Sequence, residues 1–106
     1  MGMGGLLKQV QEMQKRLAAI QEELEALRVE GISGGGMVKA QVNGKLQLLD
    51  LTIHPSIIDP ADPEVVEDLV VLAVAEAQKK AAETAKAKLQ DAAGGLPIPP
   101  IPGLTA

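Results

Sequence analysis

An uninterrupted heptad pattern of apolar residues opens the chain and constrains its fold more than any other feature. The apolar positions are spaced alternately four and three residues apart: Leu6, Val10, Met13, Leu17, Ile20, Leu24 and Leu27. Apolar residues that repeat every 3.5 positions form one seam along an α-helix. The sequence therefore predicts a first helix over residues 6–28, about 34 Å long.

Residues 29–43 change to the pattern of β-strands. Val29 and Ile32 indicate a short first strand, which we expect Gly31 to interrupt. Residues 37–43 alternate apolar and polar side chains, as a strand with one buried face does. The strand ends in Asn43-Gly44, for which we predict a type I′ hairpin turn, because both residue types accept positive φ angles.

The return strand, predicted over residues 46–54, changes the face on which its apolar residues lie. A β-bulge near Leu48 would explain the change, and so would burial of both faces at a subunit interface. Apolar side chains on both faces exceed what one small helical layer can cover. We therefore expect an obligate homodimer whose interface contains Leu46, Leu48, Leu49, Leu51 and Ile53.

A second long helix is predicted from Pro63 to about Asp91. Asp62 before Pro63 is a favourable N-cap, and the acid at Glu64 complements the helix dipole. The first half has a wide apolar arc, whereas the second half keeps only a narrow stripe: Ala77, Ala81, Ala85 and Leu89. We expect Gly94-Gly95 to end a single domain of residues 1–95 and the Pro-rich tail, residues 96–106, to be mobile.

Charges are segregated along this acidic chain. Residues 1–20 carry two excess positive charges from Lys8, Lys15 and Arg16 against Glu12. Residues 77–92 carry two more from Lys79, Lys80, Lys86 and Lys88 against Glu83 and Asp91, whereas residues 21–76 are −8, which gives the total of −4. If the helices are antiparallel, both basic sets meet at one tip that could contact a polyanion. The alternative is two ordinary solvent-exposed helix faces.

Several classes of function lack the residues they need. The chain has no cysteine, one histidine and no aromatic residue, so thiol chemistry and base stacking by aromatic rings are excluded. Gly34-Gly35-Gly36 lacks the Lys-Ser/Thr ending of a phosphate-binding loop, and His54 has no recognisable catalytic partner. We expect no enzyme, cofactor, metal or small-molecule substrate. The start lacks signal-peptide features, and no apolar run approaches a membrane span, so we expect a cytoplasmic protein without a membrane partner.

Several segments, in this order, resemble the YbaB/EbfC family of bacterial nucleoid-associated DNA-binding proteins. The resemblance covers about Gly4 to Gly95 and is clearest in Val29-Glu30-Gly31 with Gly34-Gly35-Gly36-Met37-Val38. It also includes the segments 6–14 and 21–24, Asn43-Gly44, Ile53-His54-Pro55 and Glu67-Asp68-Leu69. One departure is His54, where family members usually have aspartate.

The resemblance implies an α+β fold of a long N-terminal helix, a three-stranded antiparallel sheet and a long C-terminal helix. It further implies a tweezer-like homodimer, joined through its sheets, that binds duplex DNA in the nucleoid and alters its conformation. Roles in nucleoid organisation, DNA protection and gene regulation follow from the same resemblance. The implied DNA-binding residues are those of the arm tip: Lys8, Lys15, Arg16, Lys79, Lys80, Lys86 and Lys88. An alternative, favoured by the net charge of −4, is a coiled-coil adaptor or assembly protein whose arms grip a protein partner.

Overall fold

The computed structural model describes residues 3–92. A long helix α1 (Met3–Ala26) leads into strands β1 (Val29–Ser33), β2 (Val38–Val42) and β3 (Leu48–Ile53), and a second long helix α2 (Pro63–Ala92) follows. Short 3-10 turns connect β1 to β2 and follow β3. This order confirms the predicted α+β class and its element sequence. The predicted helix stop at Gly94-Gly95 and the Pro-rich tail lie outside the described residues.

The three strands form one antiparallel sheet in the order β1-β2-β3. Contrary to the sequence-based expectation, Gly31 does not interrupt β1, because it pairs in register with Ala40. Between β2 and β3 the register shifts: Gln41 pairs with Asp50 and Val42 with Leu48. Leu49 is thus the additional residue of a β-bulge, and the bulge predicted near Leu48 is confirmed.

Helix α2 covers the sheet through a stripe of alanines. Ala73, Ala77 and Ala81 are fully buried against Val38, Ala40 and Val42, which form the core with them, and Ala85 continues the stripe. Small residues let the helix backbone approach the sheet closely at β1. A Cβ atom on Gly31 would overlap the carbonyl oxygen of Ala73 and lie 2.9 Å from the Cα of Ala77. Gly31 is therefore required by the helix above it.

The β2–β3 hairpin is not the predicted type I′ turn. Neither Asn43 nor Gly44 has a positive φ, whereas Leu46 has φ of +66°. The amide of Leu46 donates to the carbonyl of Asn43 at 3.1 Å, and the amide of Asn43 donates to the carbonyl of Gln47 at 3.2 Å. These bonds define a three-residue loop that ends in a left-handed residue. Gly44 is present for another reason, its close contact with the last turn of α1.

Most of α1 extends away from the rest of the molecule. Its seam is buried only at its C-terminal end, where Leu24 is 4% exposed. Farther towards the N-terminus the seam residues remain accessible: Leu6 is 68% exposed, Val10 48%, Met13 43% and Leu17 45%. The heptad pattern predicted the helix correctly, but within this chain α2 covers only its final turns.

Candidate nucleic-acid interface

The outer face of α1 presents two regularly spaced lysines. Lys8 and Lys15 are seven residues apart on the face opposite the apolar seam, and both are exposed. Arg16 lies beside the seam and is exposed as well. Within residues 3–92, none of the three forms an ion pair. Their charges are therefore available to an anionic ligand.

The lysines of α2 differ in their surroundings. Lys79 and Lys86, also seven residues apart, are exposed on the face away from the alanine stripe. Lys80, by contrast, lies beside the sheet: its Nζ is 2.8 Å from the Glu76 carboxylate and donates to the carbonyl of Glu30 at 3.3 Å. Among contacts within residues 3–92, only Lys80 of these three lysines is bound to neighbouring acceptors.

The contact between Lys88 and Glu23 fixes where α2 passes α1. The Lys88 Nζ is 3.5 Å from the Glu23 Oε2. At 1.5 Å per residue, Ala92 reaches only about the level of residue 19 in the antiparallel α1, so the first sixteen or so residues of that helix project roughly 24 Å farther. By the same rise, Lys15 lies about 12 Å and Lys8 about 22 Å beyond the Lys88 contact.

The basic residues thus form a track and do not gather at one tip as expected. Lys80 is level with β1, Lys88 is level with the last turns of α1, and Lys8 is near the far end of the arm. Along the axis the track spans about 34 Å, because α1 and α2 overlap only over their final turns. The sequence indicated the antiparallel order of the two helices but not this offset between them.

Acidic residues divide the track and surround its inner end. Glu22, Glu23 and Glu25 lie on α1 between the arm's basic residues and the sheet. Glu25 Oε1 is 2.7 Å from Lys45 Nζ. This hydrogen bond, and to a smaller extent the positive charge of the lysine, lowers the pKa of Glu25 from its ordinary value of 4.5. Residues 50–76 contain seven acids and no lysine or arginine. A polyanion is repelled from this part of the surface.

Sequence reasoning identified the lysines but missed the acids that hold two of them. Glu76 and Lys80 are four residues apart, and this spacing on a helix was a signal for their pairing. Glu23 and Lys88 are distant in sequence, so nothing in the local pattern indicated their contact. Both acids belong to the candidate interface because they compete with phosphate for the lysine charge.

The five apolar residues predicted for the subunit interface occupy two environments. Leu46, Leu51 and Ile53 pack partly against the core, whereas Leu48 and the bulge residue Leu49 are 47% and 44% exposed. Strand β3 is an edge of the sheet, so its outer backbone groups are open to pairing. The homodimer remains a prediction, and these features are where it would form.

His54 has a structural role in this arrangement. Its Nδ1 accepts a hydrogen bond from the Ser56 amide at 3.1 Å and thereby caps the short 3-10 turn Pro55–Ile57. Across residues 3–92, no three histidine, cysteine, aspartate or glutamate side chains are grouped as metal ligands. In the same part of the chain, neither long helix has the apolar stretch that crossing a membrane requires.

The fold is a small α+β domain in which a basic helical arm is attached to an acidic body. The model of the YbaB/EbfC DNA-binding family matches residues 1–96, and the chain belongs to this family. Because this is a family of DNA-binding proteins, the prediction that the chain is not an enzyme is confirmed.

Relatives and a solved structure are similar over nearly the whole chain. A protein named nucleoid-associated protein from Rhodopseudomonas palustris strain BisB18 is 43% identical over 100 residues, 94% of this chain and 95% of its own. Another of that name, from Gemmatimonas aurantiaca, is 44% identical over 94 residues, 89% and 90% of the two chains. The crystal structure of an uncharacterized protein, HP0035 from Helicobacter pylori, superposes with a TM-score of 0.75 at 26% identity, covering 86% of this chain and 96% of that one.

Proposed function

We propose that the protein is a nucleoid-associated protein that binds double-stranded DNA as a homodimer and alters its conformation. Relatives more than 40% identical over most of the chain carry the name nucleoid-associated protein. Membership of a DNA-binding family supports DNA as the ligand. Because the chain has no aromatic residue, phosphate contacts on a duplex are favoured over base stacking on a single strand. The proposed location is the nucleoid, with roles in its organisation, in DNA protection and in gene regulation.

One observation carries the proposal: the arm presents Lys8 and Lys15 on an exposed face, while the body is acidic. Within residues 3–92, neither lysine is neutralised by a carboxylate. Lys79 and Lys86 repeat this arrangement on α2. Phosphate contacts by such residues supply affinity that depends on salt and little on sequence. We therefore propose that these four lysines and Arg16 make the main DNA contacts. Lys80 and Lys88 belong to the same set, but each forms an ion pair with a glutamate.

A homodimer would have two basic arms, one from each subunit. The exposed Leu48 and Leu49 on the edge strand β3 support subunit contact at the sheet. Two arms that project from a common sheet would form the tweezer-like shape and could hold a duplex at two points, which bends or clamps it. Light scattering tests this step, since a stable monomer of 11.0 kDa at micromolar concentration would contradict the homodimer.

DNA binding itself is tested by electrophoretic mobility of duplex DNA across a salt series. We expect affinity to fall with salt, with a slope of about 0.9 per phosphate contacted. Lys15→Gln with Arg16→Gln should weaken binding and lower the slope by about one to two units per subunit. Lys39→Gln with Lys45→Gln, which removes the same charge from the sheet, is the matched control and should matter less.

Two further outcomes define the limits of the proposal. Glu67→Lys with Asp68→Lys on the acidic body should leave the bound region unchanged and at most strengthen binding non-specifically. If the sheet variant abolished binding while the arm variant bound normally, the assignment of the arm would be wrong even with DNA binding intact. A change in DNA conformation is read separately from the end-to-end distance of a short, doubly labelled duplex, which should decrease on binding.

One observation also favours a second function, that of a coiled-coil adaptor. The apolar seam of α1 is exposed over Leu6, Val10, Met13 and Leu17, as in a coiled-coil helix without its partner. An adaptor of this kind would need neither the lysines of the outer face nor DNA. The salt series discriminates between the two functions, because an adaptor would give no mobility shift at any salt concentration.

A further inference from the structure

The accessible part of the α1 seam is an apolar surface that the described residues 3–92 leave uncovered. Leu6, Val10, Met13 and Leu17 keep between 43% and 68% of their surface exposed, and Leu7 beside them keeps 61%. Contiguous apolar stripes on otherwise polar helices mark sites of association. The described part of α2 does not reach this stripe, because it ends at Ala92, at about the level of residue 19.

The geometry of the seam specifies the kind of surface that fits it. A strict repeat of seven residues keeps apolar side chains on one line only when the helix supercoils around another helix with the same repeat. The positions beside the seam carry few charges: Gln9 and Gln14 are neutral, and Arg16 is positive. A partner helix of the same composition would therefore meet no opposing row of like charges.

We propose that the N-terminal half of α1 pairs with the same segment of a second copy of this chain. The second copy supplies a seam of equal length with the same repeat, flanked by the neutral Gln9 and Gln14 and by one positive residue, Arg16. Five side chains that each retain roughly half their surface leave on the order of 400 Å² per helix. Two such helices offer a total of about 800 Å², which is in the range of weak, transient contacts and below that of stable complexes. The pairing is thus concentration-dependent and separate from the β3 surface.

This pairing leaves the basic face of the arm open. Lys8 and Lys15 lie opposite the seam, so two paired arms present their lysines outwards on both sides. Paired arms could then hold two duplexes at once. That consequence rests on the proposed DNA binding, whereas the pairing of the arms does not.

The test joins cysteines placed on the seam, which is possible because the natural chain has none. Val10→Cys is treated with a short bismaleimide linker in the absence of DNA, and Gln11→Cys, on the outer face, is the matched control. We expect several-fold more linked dimer from Val10→Cys. The link should persist at high salt, because the contact is apolar. Adding Met13→Gln and Leu17→Gln to Val10→Cys should reduce the yield to that of the control.

Every outcome bears on the proposal. Equal yields from the two cysteine positions, or no linked product, would overturn it. If the seam instead binds a different protein, the purified chain will not link to itself, and that result would also overturn the proposal. Met13→Gln and Leu17→Gln alter side chains exposed in the single chain, so circular dichroism should show an unchanged fold. Because DNA is absent, failure here leaves the mobility-shift result standing, and the reverse also holds.

Discussion

The amide of Gly44 donates a 2.7 Å hydrogen bond to the carbonyl oxygen of Leu24, and this contact joins the hairpin to the end of α1. The same carbonyl also accepts a longer bond from the Leu27 amide at 3.3 Å, so the hairpin adds a second, shorter bond to the last turn of the helix. Leu24 is also the only seam residue of α1 that is fully buried within residues 3–92. This close approach of two backbones therefore helps to set the orientation of the arm relative to the sheet, together with the ion pairs of Glu25 with Lys45 and of Glu23 with Lys88.

A side chain at residue 44 should destabilise the protein. A Cβ atom on Gly44 would lie 2.8 Å from the carbonyl oxygen of Leu24 and 2.9 Å from its Cα, and backbone atoms cannot move aside as a flexible side chain could. We expect Gly44→Ala to lower the free energy of unfolding by about 2–3 kcal/mol, as overpacking does. Urea denaturation followed by circular dichroism measures the change.

The control for this substitution is another glycine in open space. A Cβ on Gly5, in the first turns of α1, has no neighbouring atom within 4 Å. Gly5→Ala should be neutral or stabilise the protein by up to about 1 kcal/mol, because alanine favours the helix. Equal effects of the two substitutions would show that the close approach at Gly44 is not what restricts the position.

The sequence predicted the elements that depend on local pattern and failed where a distant element decides. The parity switch after Leu48 indicated the bulge, and the heptad spacing indicated the first helix. The prediction of a type I′ turn was wrong because Asn43-Gly44 is not at this position to adopt positive φ angles. Gly44 is required by α1, and Leu46 takes the left-handed conformation. Only the packing of α1 on the hairpin reveals this.

The candidate site shows the same division. The charge pattern identified Lys8 and Lys15 and their position opposite the seam, because helix periodicity alone determines this. It could not give the axial offset between the two helices, which depends on how α2 sits over Gly31. Lys80 was therefore expected at a tip but lies beside the sheet, where it donates to the Glu30 carbonyl. Offsets of this kind are set by tertiary packing, for which a single sequence carries no local signal.

Removal of the Asn43 side chain should also destabilise the hairpin. Asn43 is 3% exposed, its Oδ1 accepts from the amides of Lys45 at 2.9 Å and Gln47 at 3.1 Å, and its Nδ2 donates to the Gln47 side chain. Asn43→Ala leaves these groups without partners and should cost about 1–3 kcal/mol in unfolding free energy. Asn43→Asp keeps both acceptor bonds and should cost less. A larger loss from aspartate than from alanine in thermal denaturation would contradict the role assigned to Oδ1.

The ion pair of Glu25 and Lys45 should give a small contribution to stability that depends on pH. Because the pKa of Glu25 is lowered in the folded chain, its contribution is present above the unfolded value and is lost as the pH falls through the folded value, below 4.5. Glu25→Gln should therefore lower the melting temperature slightly at pH 7 and not at strongly acidic pH. Both partners are accessible to solvent, so salt should reduce the difference.

Glu22→Gln is the control for this pH dependence, since within residues 3–92 Glu22 forms no ion pair. It removes the same charge from the same helix without breaking a contact. A difference between wild type and Glu25→Gln that persisted unchanged at acidic pH would show that the effect comes from packing or helix propensity. The ion pair would then contribute nothing measurable.

Neutralising Glu23 should strengthen DNA binding more than neutralising Glu22. The Glu23 carboxylate lies 3.5 Å from the Lys88 ammonium, so Glu23→Gln both removes a negative charge and releases a lysine for phosphate. We expect higher affinity and a salt slope steeper by up to about 0.9, the value for one added contact. Glu22→Gln changes the net charge equally and should leave the slope unchanged. Duplex mobility shifts across a salt series measure both quantities, and equal slopes for the two variants would show that Lys88 does not contact the DNA.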